Sequence, residues 1–174
     1  MNQLYGKGAQ SFLEGSIAWL SDNIKVNLIT SGYTPSINAD QFLSVIGGGN
    51  IVATSANLAS KTATLGTANA ANITFPAVTG SAVTYVGVYK DTGVAGTSPL
   101  ILLIDTATNL PLTPNSGDIT VQWDVGANKI FTLFEGLKEK DQFRLLDWLK
   151  GVMGIAAERD KSGLWIPSPT LVQA

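Results

Sequence analysis

The sequence predicts a mainly β protein: an antiparallel sandwich or barrel-like domain over residues 1–134, followed by a C-terminal helix and an extended tail over residues 135–174. Three observations carry this expectation. Between Gly80 and Phe134, four apolar runs, each too short for an ordinary helix, alternate with turn-forming residues. From Ile51 to Val78 the chain is rich in Ala, Thr, Asn and Ser, yet apolar positions still recur, which favours short irregular strands over disorder. After Phe134 charged residues become dense, half of all those in the chain falling between Glu135 and Lys161, and apolar residues recur at helical spacing.

The elements follow in order. Gly8 to Leu20 carries Leu13, Ile17 and Leu20 at helical spacing, interrupted by Gly15, and reads as a short helix or turn. Ile24, Val26 and Leu28 alternate with Lys25 and Asn27, giving a first strand with one wet face, ended by Ser31-Gly32-Tyr33-Thr34-Pro35. Asp40 to Ile46 fits one helical turn or two, stopped by Gly47 to Gly49. That glycine run lacks the lysine and hydroxyl of a nucleotide loop and reads as flexible chain.

Ala82 to Lys90 places Val83, Tyr85 and Tyr89 on one face and Ala82, Val86 and Val88 on the other, as in a strand covered on both sides. Leu100 to Ile104 is apolar throughout. Joined across Asp91 to Pro99, where Asp91-Thr92-Gly93 supplies a residue tolerant of positive φ, the two strands make a hairpin at the centre of a sheet. Ile119, Val121 and Trp123 alternate with Thr120 and Gln122 in a peripheral strand. Ile130 to Phe134, after the Asp124 to Asn128 turn, is placed to close the sheet.

On the C-terminal helix Leu145, Leu149, Val152 and Ala156 form one stripe flanked by Leu146, Trp148 and Met153. Asp141, Arg144 and Asp147 line the opposite side. Phe143 falls among Glu139, Asp147 and Lys150, as either a second contact surface or an incidental exposed ring. Gly151, Gly154 and Gly163 weaken the helix toward its end. Pro167 and Pro169 then force extended chain, and with Trp165, Ile166, Leu171 and Val172 apolar this tail is expected to lie on a neighbour. The candidate partner-binding residues are therefore Phe143, Leu145, Leu146, Leu149, Trp165 and Ile166.

Composition narrows the function. The 174 residues suffice for one core plus an appended element. Only 14% are charged, against roughly 25% in an ordinary soluble domain, and the net charge is −2, so no basic excess exists to hold phosphate backbones and nucleic acid is not an expected partner. There is no cysteine and no histidine, which removes disulfides, thiolate metal sites, the usual zinc ligand and the usual activator of a serine nucleophile. No membrane-length apolar run and no secretory pattern is present, so a soluble protein made in the cytoplasm is expected. Asp91, Asp105, Asp118 and Asp124 stand at strand ends, where carboxylates can cluster for acid-base work or calcium but more commonly bond backbone amides in turns. No catalytic, cofactor or metal set emerges.

Certain blocks do carry a resemblance. Gly6-Lys7, Trp19 and Asp22-Asn23-Ile24-Lys25-Val26-Asn27-Leu28 open it, followed in order by Val52-Ala53-Thr54-Ser55, Val78-Thr79-Gly80, Tyr89-Lys90-Asp91-Thr92-Gly93, Ser98-Pro99-Leu100-Ile101, Ile104-Asp105-Thr106-Ala107-Thr108, Gly117 to Asp124 and Gly126 to Phe131. Over about three quarters of its length the chain thus resembles small virion structural proteins of tailed bacteriophages. The resemblance implies a virion component without catalytic residues, decorating or cementing the capsid surface as a homo-oligomer, with the major capsid protein or other virion proteins as partners. A head-to-tail or tail component is a second expectation, and a surface module binding host glycan, through an exposed tryptophan such as Trp165, is a third. Residues 135–174 fall outside the resemblance.

Overall fold

The computed structural model describes residues 2–126 and 129–133, together with the backbone of residues 157–159 and 165–167. The chain divides into two compact units, Met1–Phe134 and Glu135–Ala174. The first contains β1 (Gln3–Leu4), α1 (Gly6–Leu13), β2 (Ile24–Thr30), β3 (Ile51–Thr54), β4 (Thr62–Thr64), β5 (Thr67–Asn69), β6 (Ile73–Phe75), β7 (Val83–Lys90), β8 (Leu100–Ile104), β9 (Ile119–Val121) and β10 (Phe131–Thr132). In the second, β11 (Ala157–Arg159) pairs antiparallel with β12 (Trp165–Pro167). Extended chain at Trp165–Pro167 agrees with the proline pattern. The helix expected from Glu135 onward lies outside the described residues, save that residues 157–159 near its expected end are strand.

The protein is mainly β and antiparallel. A five-stranded sheet has the order β1-β8-β7-β2-β3; beside it stand a three-stranded sheet, β10-β5-β4, and the pair β6-β9. No sheet among the described residues closes into a barrel. As the apolar pattern requires, β7 and β8 pair as a hairpin and β7 takes the central position.

Both faces of this sheet are covered. Ile24, Val26 and Leu28 of β2 and Val86 and Val88 of β7 pack on one side with Ile17, Trp19, Leu58, Phe75, Val78, Trp123 and Phe131. On the other, Ile29, Tyr89, Leu100 and Leu103 pack with Tyr5, Tyr33 and Ile46. The second face of β2 is therefore not wet. Asn27 is buried there, its Oδ1 accepting a hydrogen bond from Thr54 Oγ1 at 2.8 Å. A polar residue in an alternating pattern reads as solvent-facing, and only the loop carrying Tyr33 and Ile46 reveals that a second layer covers it.

Register irregularities move side chains between faces. Thr30 faces Val83 while Ile29 faces Tyr85, so Thr84 is the extra residue, and Val83 joins Val86 and Val88 instead of the tyrosine face. Between β7 and β8 the extra residue is Ile101, which packs with Leu102 while Leu100 turns to the tyrosine side.

Of the two later strands, the first keeps its expected alternation, with Thr120 and Gln122 exposed and Trp123 buried, and lies peripherally; the second departs from expectation. Ile119–Val121 pairs with β6 and Phe131–Thr132 with β5, and neither joins nor closes the main sheet. The reason is that the outer edge of β8 is already occupied. Gln3 and Leu4 pair with Leu103 and Leu102, Tyr5 N–H donates to Ile101 O at 2.9 Å, and Asn2 Oδ1 accepts from the amides of Asp105 and Thr106. Helix α1 ends at Leu13 and leaves Leu13 and Leu20 exposed, with Ile17 alone of the expected stripe in the core. Among the described residues no helix is long and apolar enough to cross a membrane.

Two ion pairs fasten the strand ends: Lys25 to Asp91 at 2.6 Å and Lys90 to Asp22 at 2.9 Å. The Lys25 ammonium and the Gly93 amide hold the Asp91 carboxyl below its ordinary range despite partial burial. For Asp22, burial pushes upward but the Ala18 amide and Lys90 outweigh it, so its pKa is also lowered. A carboxyl depressed in the folded state contributes stability above its unfolded pKa of about 3.9 and loses it as pH falls through the folded value. Stability should therefore decline below about pH 4, and Asp91→Asn should flatten that acid limb in urea unfolding curves while costing at most about 1 kcal/mol at pH 7.

Candidate functional site

A cleft of about 830 Å³ opens between the main sheet and the β6-β9 pair. That volume lies in the range of about 300–1,000 Å³ typical of ligand sites. Its floor is aliphatic, from Leu28, Val83, Val86, Ile104, Ile119 and Val121, which extend the core toward solvent. Its rim is polar and mostly uncharged, with Asn109, Asn115, Thr108, Thr113 and Gln122 beside Asp118 and Asp124.

The loop from Asp105 to Asp118 shapes this rim. It holds a cis Leu110-Pro111 bond and two left-handed residues, Asn109 and Ser116. Leu112 anchors it to the sheet, exchanging backbone hydrogen bonds with Val83 at 2.8 and 2.9 Å. The one lysine on the cleft, Lys129, donates to the Val125 carbonyl at 2.7 Å, and two carboxylates share the rim, so anionic ligands are disfavoured. An uncharged molecule with hydroxyl or amide groups and an apolar face matches the lining.

The strand-end aspartates do not gather. Asp91 Oδ1 accepts from the Gly93 amide at 2.9 Å as a turn carboxylate, whereas Asp118 Oδ1 accepts at 2.9 Å from the amide of Ala77, 41 positions earlier, and ties the start of β9 to the turn after β6. Among the described residues no group of three or more metal-ligating side chains exists.

The tyrosines stay away from the cleft. Tyr5 is fully buried, and its hydroxyl hydrogen-bonds that of Tyr33 at 2.9 Å, which donates to Asp40 Oδ2 at 2.6 Å. Burial pushes the Tyr5 hydroxyl up to about 12, and burial together with the Asp40 carboxylate raises that of Tyr33. This chain is structural: it ties β1 to the loop covering the second face. Tyr33→Phe strands the Tyr5 hydroxyl without its acceptor and should cost about 1–3 kcal/mol in denaturant unfolding, more than Tyr5→Phe, which leaves the Tyr33-Asp40 bond intact.

Of the residues expected to bind partners, Phe143, Leu145, Leu146 and Leu149 lie outside the described residues. Trp165 and Ile166 lie on β12, opposite Arg159 and Glu158. The cleft residues Asn109, Leu110 and Gln122 carry no motif. For Asn109 and Leu110 the one signal is the 14-residue stretch from Asp105 to Asp118, with two prolines and no strand pattern, long for a simple connection; Gln122 shows only the alternation of its strand. No protein-family model matches the chain, and no curated protein matches it.

Proposed function

We propose that the protein is a non-enzymatic structural component of a bacteriophage virion, placed on the capsid surface in many copies and held by contacts with the major capsid protein and with copies of itself. The observation that carries this reading is where the phage-like sequence blocks fall. Tyr89 to Gly93 ends β7 and supplies the Asp91 ion pair with Lys25. Ser98 is fully buried, accepting from the Thr92 amide and donating to the Val94 carbonyl to fold the β7-β8 connection. Gly117 to Asp124 forms β9 and one wall of the cleft. The blocks thus coincide with residues the fold depends on, which supports reading the likeness as one of frame, a sandwich-like unit. Exposed apolar residues, among them Leu13, Leu65 and Val125, suit a chain whose surface is partly covered in an assembly.

Quantitative mass spectrometry of purified virions tests this. Decoration predicts hundreds of copies per particle, whereas about a dozen or fewer, matching one ring, marks a head-to-tail or neck component. Absence from virions overturns both. Deleting residues 135–174 should leave the far-ultraviolet circular dichroism of the first unit in place while abolishing capsid binding.

The cleft favours a second reading, a surface module for host glycan, because its amide and hydroxyl groups, with two carboxylates, over an aliphatic floor suit a polyhydroxylated ligand. Pull-down on purified host cell wall, lost in Gln122→Ala and Asn109→Ala, is its expected result.

A further inference from the structure

One edge of the molecule carries two unusual features side by side. Strand β4 is the outer strand of the β10-β5-β4 sheet, and Thr62, Ala63 and Thr64 are all exposed. Edge strands are ordinarily guarded by brevity, charge, proline or a bulge. This three-residue strand is short but has none of the other guards: its register with β5 is regular, and the adjacent Lys61 turns its ammonium away to the Asp22 carbonyl. The two-residue turn that follows makes Thr64 and Thr67 the hydrogen-bonded pair, so alternation directs the N–H and C=O of Ala63 outward. No backbone hydrogen bond among the described residues reaches them.

The turn itself is the second anomaly. Leu65 and Gly66 have φ of 50° and 78°, both in the left-handed region, where Asn or Gly is the favoured first residue and an apolar side chain is disfavoured. Leu65 is also 96% exposed. A leucine suits neither the turn nor the water around it, so its advantage lies in a contact outside the unit.

We propose that the free edge of β4, with Leu65 at its tip, is where two copies of this chain join, their β4 strands pairing antiparallel across a two-fold axis into one six-stranded sheet. The unpaired groups of Ala63 call for extended backbone. A two-fold centred on Ala63 supplies it, with each Ala63 exchanging both hydrogen bonds with its counterpart. Thr62 then faces Thr64, a favourable cross-strand pair, and Leu65 lies along the aliphatic stem of Lys61. The small side chain at the centre lets the backbones approach, and no charge is buried on either side.

The proposal deepens the homo-oligomer part of the reading above and rests on it for biological context only. Dimers absent from virions would sink that reading alone, and virion-bound protein that is monomeric in solution would sink this one alone. The test uses the full chain. Sedimentation equilibrium should give twice the mass of one chain. Leu65→Asn should hold or raise the melting temperature, because Asn suits the turn, while weakening association by about tenfold or more. The chain has no cysteine, so Ala63→Cys should be joined to its counterpart in high yield by a short bifunctional maleimide, and Val94→Cys, exposed on the β7-β8 connection, should not. Sedimentation as a single chain up to about 100 μM, an oligomer that Ala63→Cys fails to cross-link, or association indifferent to Leu65→Asn each overturns the assignment.

Discussion

Gly8→Ala should lower the stability of the first unit by about 3 kcal/mol, a fall of roughly 10 °C in melting temperature. Gly8 sits where α1 crosses β8. A methyl group there would lie well inside van der Waals contact of the Leu100 carbonyl oxygen and 3.1 Å from Ile101 Cα. Both obstacles are backbone of a strand already paired on two sides, so neither yields without moving the sheet. The neighbouring chain offers no relief, because Tyr5, just before the helix, is bonded to Ile101. Gly48→Ala provides the control: nothing lies within 4 Å of its added methyl, and its melting curve should overlay that of the unaltered protein. Equal effects at the two positions would show that α1 is not pressed against β8.

Phe131→Ala should cost about 4 kcal/mol, a large share of the ~5–15 kcal/mol that holds an ordinary domain folded. Strand β10 contributes only two residues to its ladder, so hydrogen bonding alone does not fix it. Its buried ring does. Phe131 meets Trp19 edge to face at 5.2 Å and Phe12 at 5.8 Å, joining the three-stranded sheet to α1 and the main core. The near-ultraviolet dichroism of Trp19 should weaken in parallel with stability. Leu133→Ala, two residues on and partly exposed, should change stability by less than about 1 kcal/mol.

What the sequence made legible was the part governed by local pattern. The β7-β8 hairpin is announced by two apolar runs and the Asp91-Thr92-Gly93 turn, and Asp91 does bond the Gly93 amide there. Which strands neighbour one another was less visible. Alternation in Ile119 to Trp123 marks a strand with one buried face but says nothing of its partner, and β6, 44 or more residues earlier, is set beside it by contacts that periodicity does not encode. Asn27 shows the complementary limit: its polarity suggests water, yet Thr54 and the covering loop make it interior. The cleft was illegible for a related reason. Its lining comes from β2, β7, β8, β9, the loop between the last two and the segment after β9, each contributing ordinary residues whose convergence is a property of topology alone.

The clamp between Asn2 and Thr106 spans 104 positions. On the ribosome Gln3 and Leu4 emerge about 100 residues before the strand they must cover, so the apolar edge at Leu100 to Ile104 and its cap meet only through a long-range closure. Completion of the main sheet consequently waits for β8, and a nascent chain halted before residue 100 has no template on which Gln3 and Leu4 can settle.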